Sequence, residues 1–353
     1  MLIFDSHLDL AMNAVDWNRD LRMTIAEIRV QERTWNMTDA GRLTGTVSFP
    51  ELKRGQVGLG VATLIARQER QITHPLGFTT VEACYASAMS HVYYYRAMEK
   101  AGWMRPIRTK KDLQQHVIDW KNDPAGTPYG YIISMECADA VIDPDNIREF
   151  YEMGLRAIGI THYGPNRYGG GTQCEVGLAV EALPLLRNIE ELGIALDLTH
   201  LSDKAFWQVA DRFGGRVLAS HQNARKFCDW QRQFSDEQLK FVIKRDGVIG
   251  AAFDAIMLQP GWVRGVSKPE VTIDRVVENI DHVCQLAGNC KHAGIGSDLD
   301  GGYGFEQCPS DLNTIADMQK VAEYLSKRNY KAADIEAIMH GNWIRFFSEV
   351  LPN

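Results

Sequence analysis

The chain of 353 residues lacks several features that would have decided its class outright. No stretch approaches 18 uninterrupted apolar residues, so no membrane-spanning helix is expected. Basic residues are not in excess: 38 Lys and Arg stand against 45 Asp and Glu, a net charge of −7. A nucleic-acid protein would carry a basic patch or stripe, so nucleic acid is not the expected partner. The seven cysteines are scattered and odd in number and form no CxxC pair. That excludes a disulfide framework and a thiolate zinc site and leaves reduced thiols. Met1-Leu2-Ile3-Phe4-Asp5 shows neither a basic n-region nor a long apolar h-region, so a cytoplasmic protein is expected. Repeats and low-complexity tracts are absent, as are a GxSxG elbow around Ser220 and the Gly-Lys-Ser/Thr of a phosphate loop.

What is present is a rhythm of short apolar, β-branched runs alternating with polar helical stretches. The runs are Leu2–His7, Gly60–Ala66, Tyr131–Met135, Ala157–His162, Ala195–His200, Val217–His221, Val248–Phe253 and Ala293–Asp298. Runs such as Val248–Phe253 are apolar on both faces, as a buried parallel sheet requires. Helical patterns lie between them: Thr79–Ala101, Val176–Leu192, Ala205–Phe213, Leu239–Arg245, Ile273–Ala287 and Asp311–Ser326. Ser202 is a good N-cap, and Ser235-Asp236-Glu237-Gln238 spells a capping box. Eight strands alternating with helices imply a single α/β domain over 1–353, a (β/α)₈ TIM barrel. Residues 10–56 form an insertion after strand 1, and Ala332–Val350 supplies one or two closing helices. An open doubly wound sheet is the alternative arrangement.

Polar residues of metal-binding type gather at the C-terminal ends of these strands. Strand one ends in His7-Leu8-Asp9, strand three runs into Glu136, and strands four, five and six end in His162, His200 and His221. Strand eight ends in Asp298. In a barrel these ends form one rim, where active sites sit. His7 and Asp9, two apart on a strand, point to the same side. Neutral imidazoles with carboxylates and no thiolate suit Zn²⁺ and its first-row neighbours. There are more donors than one ion needs, which favours two divalent ions sharing a carboxylate. The other histidines, 74, 91, 116, 282, 292 and 340, fall in helices or loops and are read as structural. The run His91-Val92-Tyr93-Tyr94-Tyr95 is read as helix packing, and Cys137 as a small buried residue. Gly164-Pro165-Asn166-Arg167-Tyr168-Gly169-Gly170-Gly171 is read as a mobile rim loop.

Several segments then resemble one family from end to end. They are Asp5-Ser6-His7-Leu8-Asp9-Leu10, Leu52-Lys53-Arg54-Gly55-Gln56-Val57-Gly58, Asp197-Leu198-Thr199-His200-Leu201-Ser202 and Ser220-His221-Gln222-Asn223-Ala224-Arg225. Gly294-Ile295-Gly296-Ser297-Asp298-Leu299-Asp300-Gly301 and Gly341-Asn342-Trp343-Ile344-Arg345 complete the set. The chain resembles the membrane dipeptidase (renal dipeptidase) family of metallopeptidases, within the amidohydrolase superfamily. The resemblance implies a binuclear hydrolase that cleaves dipeptides with a free C-terminal carboxylate. His7 and Asp9 would hold one ion, His200 and His221 the other, and Glu136 would bridge them. Asp298 would handle protons around the attacking water, and His162 would polarise the scissile carbonyl. Arg232 would bind the substrate carboxylate; its plain alternative is a surface residue at a helix start.

The chain departs from the family pattern at Cys137-Ala138, at Gln231-Arg232-Gln233 and over Asp254–Trp262, which bear on substrate choice. An N-acyl amino acid or lactone is the alternative substrate, and a non-hydrolytic member of the family the alternative function. A small dipeptide-like substrate is the expected partner, with no membrane, and a homodimer is compatible with the sequence.

Overall fold

In the computed structural model, which describes residues 1–69 and 77–353, all eight expected strands form and all pair in parallel. They are β1 (Ile3–Leu8), β2 (Val57–Ile65), β3 (Tyr129–Glu136), β4 (Leu155–Gly159), β5 (Ala195–Asp197), β6 (Val217–Leu218), β7 (Ile249–Ala251) and β8 (Ala293–Ile295). Strands β1 to β6 follow one another around the sheet, and β8 pairs with both β7 and β1. The ring closes between β6 and β7. There the Ala219 N–H donates to Val248 O at 3.0 Å, and the Gly250 N–H donates to Ala219 O at 2.8 Å. This closure rules out the open doubly wound sheet. A short extra strand, Met104–Pro106, pairs with the start of β3, and β4 takes over from Ile133 onward.

The bottom of the barrel is filled from both ends of the chain. Phe4, Leu59, Ile132, Ala157, Ala195 and Leu218, one from each of β1 to β6, pack in one cluster with Trp343, Phe346 and Phe347. These aromatics belong to the C-terminal helix Asn342–Val350, so the expected closing helix plugs the barrel. The Phe4 ring stacks on Phe347 with centroids 5.6 Å apart, and the Trp343 indole N–H donates to Ile295 O at 3.0 Å. A buried indole needs such a partner. With the bottom sealed by side chains, the opposite rim is left for chemistry.

The insertion after β1 contains three short helices, Leu10–Val15, Ile25–Thr34 and Phe49–Arg54, and no strand. The expected helix at 273–287 spans Ile273–Ala287, and that at 79–101 spans Val81–Lys100. The helix expected to begin at Asp311 opens as a 3₁₀ turn at Ile315–Gln319 and continues over Lys320–Lys327. Two helices carry the caps read from their sequences: Ser202 accepts from the Ala205 N–H, and Ser235 with Gln238 forms a capping box.

Three expectations are corrected. The helix expected from Val176 begins only at Ala182, because Leu178 bridges to Gly169. The glycine-rich loop is tied down: a Cβ on Gly170 would lie 2.0 Å from Val176 O, and one on Gly171 would lie 1.9 Å from His162 O. Only glycine allows those backbones to approach so closely. Strands four, five, six and eight also end three residues earlier than their sequences suggest. His162, His200 and Asp298 each stand at the third position past the last ladder residue, and His221 at the second past Ala219, whose bridge to Ile249 closes the ring. His200 (φ 69°) and Asp298 (φ 59°) occupy left-handed backbone, which no strand tolerates.

Candidate functional site

At these strand ends, side chains take over from the ladder. The Asp197 carboxylate accepts from the Thr199 and Ser220 N–H groups at 3.1 and 3.0 Å. Asp5 does the same for the N–H groups of His7 and Ser297, at 3.2 and 2.8 Å. Strained, positive-φ residues held in this way are common at functional sites. Here the strain directs His200 and Asp298 inward.

They converge on Glu136, the last residue of β3, which is 8% exposed. Its Oε1 lies 3.1 Å from His200 Nε2, 3.4 Å from His221 Nε2 and 3.7 Å from His162 Nε2. Its Oε2 lies 3.6 Å from His7 Nε2, and that nitrogen is 3.9 Å from Asp9 Oδ2 and 3.8 Å from Asp298 Oδ1. Donor atoms thus fall into overlapping groups within 4.8 Å of one another: His7, Asp9 and Glu136; His7, His221 and Asp298; Glu136, His162 and His200. All seven polar residues expected at the rim from β1, β3, β4, β5, β6 and β8 meet here.

The electrostatics are those of a site with too much negative charge. Burial, the largest influence on Glu136, opposes its ionisation, but His162, His7 and His200 outweigh it and hold the carboxyl well below its ordinary range. Burial also works against charge on His7, yet Glu136, Asp9 and Asp298 together lift its pKa to about 10. Burial raises Asp9 to about 6. It likewise pushes Asp298 well above a normal aspartate, with Glu136 and Asp9 adding to the rise against the pull of His7. Burial leaves the other three imidazoles neutral: His200 falls to about 3, and His162 and His221 lie well below the ordinary value.

The residues present fit divalent cations. His7 Nε2 is buried with no hydrogen-bond partner, and His200 Nε2 faces His221 Nε2 at 3.0 Å. An orphaned nitrogen beside three carboxylates, and two neutral imidazole nitrogens aimed at each other, are what shared cations would satisfy. The supporting contacts agree. His200 Nδ1 meets Thr172 Oγ1 at 2.9 Å, His221 Nδ1 meets Ser220 Oγ at 2.9 Å, and the Thr63 hydroxyl donates to Asp9. Such outer partners orient ligands around metals.

The cluster opens into a cavity of about 1060 Å³. Arg232 lines it and is 3% exposed, in a turn and not at a helix start, so it is not a surface residue. Its guanidinium donates to Gln222 Oε1 at 2.6 Å and to His221 O at 2.8 Å. Its altered neighbours hold the turn in place: Gln231 Oε1 accepts from the Gln173 N–H at 2.7 Å, and the Gln233 amide donates to Met257 O at 2.6 Å. Cys137 (φ 74°) is buried, and burial pushes its thiol well above the usual range, as an inert residue requires. All seven cysteines are free thiols.

Five of the histidines read as structural stay outside the cluster, and His74 lies outside the described residues. His91, for example, pairs with Asp16 at 2.7 Å beneath the helix that carries it. The sequence did not single out Arg67 or Asp139 and named Asp254 only as the start of a divergent segment; all three line the cavity. Arg67 and Asp254 follow the ends of β2 and β7, so the strand-end rule already applied to the other strands points to both. Among the described residues, no helix is long and apolar enough to cross a membrane.

Comparison with known proteins agrees with this geometry. The family model described as membrane dipeptidase (peptidase family M19) matches residues 1–352. An uncharacterized protein from the pqqA 5′ region of Klebsiella pneumoniae is 27% identical over 213 residues, which is 58% of this chain and 76% of that protein. An uncharacterized dipeptidase of Schizosaccharomyces pombe is 27% identical over 207 residues, 57% of this chain and 48% of that one. The chain thus spans between about half and three quarters of the length of these curated relatives. A metallopeptidase from Rhodobacter sphaeroides, solved with a phosphinate mimic of L-Ala-D-Ala, superposes with a TM-score of 0.79 at 22% identity, covering 99% of both chains. The solved dipeptidase AC, also an M19 metallopeptidase, gives a TM-score of 0.79 at 22% identity over 100% of this chain and 99% of its own. These two share the fold. With a family model spanning nearly every residue, the chain belongs to the membrane dipeptidase family, peptidase family M19, a family of peptide-bond hydrolases.

Proposed function

We propose that the protein is a metal-dependent dipeptidase that hydrolyses dipeptides with a free C-terminal carboxylate. One observation carries this reading: a single buried carboxylate, Glu136, has four imidazoles within 3.7 Å, in a cavity also lined by the buried Arg232. His7 and Asp9 would hold one divalent ion and His200 and His221 a second, with Glu136 shared between them. The nitrogen and oxygen donor set, free of thiolate, favours zinc. Such a pair, when bound, supplies Lewis acidity that polarises a carbonyl and acidifies water toward neutral pH.

The remaining steps belong to side chains. Asp298, its pKa raised by burial, is suited to take a proton from the attacking water and pass it to the leaving amine. His162 donates a hydrogen bond to the carbonyl oxygen as negative charge develops there. Arg232 pairs with the substrate carboxylate in the two-point geometry that guanidinium favours.

A panel of L-L and L-D dipeptides, each beside its C-terminal amide, tests the reading, with metal content measured on the same sample. The reading expects turnover of free acids and poor turnover of amides. Equal turnover of both would direct the assignment to another amide or ester substrate, such as an N-acyl amino acid or a lactone.

A further inference from the structure

Three imidazoles crowd Glu136 Oε1 through their Nε2 atoms, and what touches the other nitrogen of each differs. His200 Nδ1 meets the hydroxyl of Thr172 and His221 Nδ1 meets that of Ser220, both at 2.9 Å. A hydroxyl can accept, so each of these rings can carry its proton on Nδ1 and keep an Nε2 lone pair for a cation. His162 Nδ1 instead lies 2.8 Å from Nη1 of Arg67. A guanidinium has five N–H donors, no acceptor, and never loses its proton in a protein. Two N–H groups cannot face each other at that distance, so His162 Nδ1 must present its lone pair. A neutral ring then carries its single proton on Nε2, the atom aimed into the cavity.

We propose that Arg67 is a positioning residue: it fixes His162 as the Nε2–H tautomer, making it a hydrogen-bond donor to the substrate and not a metal ligand. This separates His162 from His200, although the spacing of donor atoms alone would group both with Glu136 around one ion. Arg67 is itself held. It forms an ion pair with Glu69, two residues on, and its backbone pairs with Gly77 in a short parallel bridge beside the rim. The guanidinium therefore reaches His162 from a fixed wall of the cavity. The assignment of His162 to the substrate rests on the hydrolase reading above, whereas the tautomer does not.

The test is ¹⁵N NMR of histidine-labelled, zinc-loaded protein, with the His162 resonances identified by their loss in His162→Gln. The expected result is an unprotonated Nδ1 and a protonated Nε2 for His162 in the wild type. A proton on Nδ1 would overturn the proposal, whatever the enzyme hydrolyses. Arg67→Met should shift the Nδ1 resonance and lower kcat on a hydrolysed dipeptide by about tenfold or more, with KM little changed. Arg67→Lys, which keeps a cationic donor, should recover most of that loss. Wild-type kcat and an unmoved Nδ1 resonance in Arg67→Met would also overturn it. If no dipeptide is turned over while His162 shows the expected tautomer, the substrate reading fails and the role of Arg67 in fixing the ring stands.

Discussion

Asp298 and Asp300 stand on one loop with nearly the same left-handed backbone, φ 59° and 61°; burial raises the pKa of both, but Asp300 is fully buried and Asp298 only partly, and their charged partners differ. Asp300 accepts from the Thr46 and Val47 N–H groups at 2.7 and 2.9 Å and from the Thr46 hydroxyl at 2.7 Å. Arg19 lies 3.4 Å away and also pairs with Glu32 at 2.8 Å, and Arg42 meets Glu32 at 3.1 Å. Two guanidiniums face two carboxylates, and this cluster locks the insertion after β1 onto the loop after β8. Asp298, by contrast, has His7 Nε2 at 3.8 Å as its ion-pair contact, and it shares the cavity with Asp9 and Glu136. A cluster that only holds the fold satisfies its own charge. One that binds cations leaves charge open, and the folded protein bears the cost until they arrive.

The largest expected effect separates the two acids by chemistry. Asp298→Asn should lower kcat by roughly 10²–10⁴-fold, the range for a positioned acid or base, while metal content holds. Loss of metal instead would make Asp298 a ligand. Next comes the paired cluster. Arg19→Met leaves Asp300 buried without its cation and Glu32 with Arg42 alone, and should cost about 3–5 kcal/mol in urea unfolding. A change below about 1 kcal/mol would show that the insertion does not depend on this pairing.

Arg232→Ala should lower kcat/KM on free-acid dipeptides by roughly ten- to a few hundred-fold, the equivalent of about 1.5–3 kcal/mol of charge-assisted hydrogen bonding. It should leave C-terminal amides nearly unaffected, because they offer no carboxylate to lose. The smallest effect differs in sign between the two acids. In metal-free protein, Asp298→Asn should stabilise by about 1 kcal/mol by relieving like charges, whereas Asp300→Asn should destabilise. Urea titration of both variants reads the sign, and destabilisation by both would erase the distinction.

The barrel was legible because its strands are buried on both faces and therefore spell apolar runs, and β1 to β8 all appeared where those runs lie. Their ends were not legible. His162, His200, His221 and Asp298 continue the runs in sequence but leave the ladder, and a positive φ leaves no trace in composition. The convergence at the rim followed from the fold, so the strand-end residues could be grouped before any geometry was known. Arg67 directly follows the second strand run, but a guanidinium is no metal ligand and so did not stand out among the rim donors. The Arg19–Glu32–Asp300 cluster escaped for another reason. Its partners lie 13 and 281 residues from Arg19, and pairing across such separations has no periodicity to betray it. The packing of Gly170 and Gly171 against Val176 and His162 was equally invisible, since glycine marks freedom and close approach alike.

On the proposed function, the open charge around Glu136 holds cations needed for hydrolysis. Elemental analysis and dipeptide turnover on the same samples test it most directly, for wild type as prepared, after chelator dialysis, after zinc is restored, and for Glu136→Gln. The account predicts about two divalent ions per chain in active protein. It also predicts loss of turnover with the metal, recovery with zinc, and depleted metal with little turnover in Glu136→Gln. Full activity in metal-free wild-type protein would contradict it.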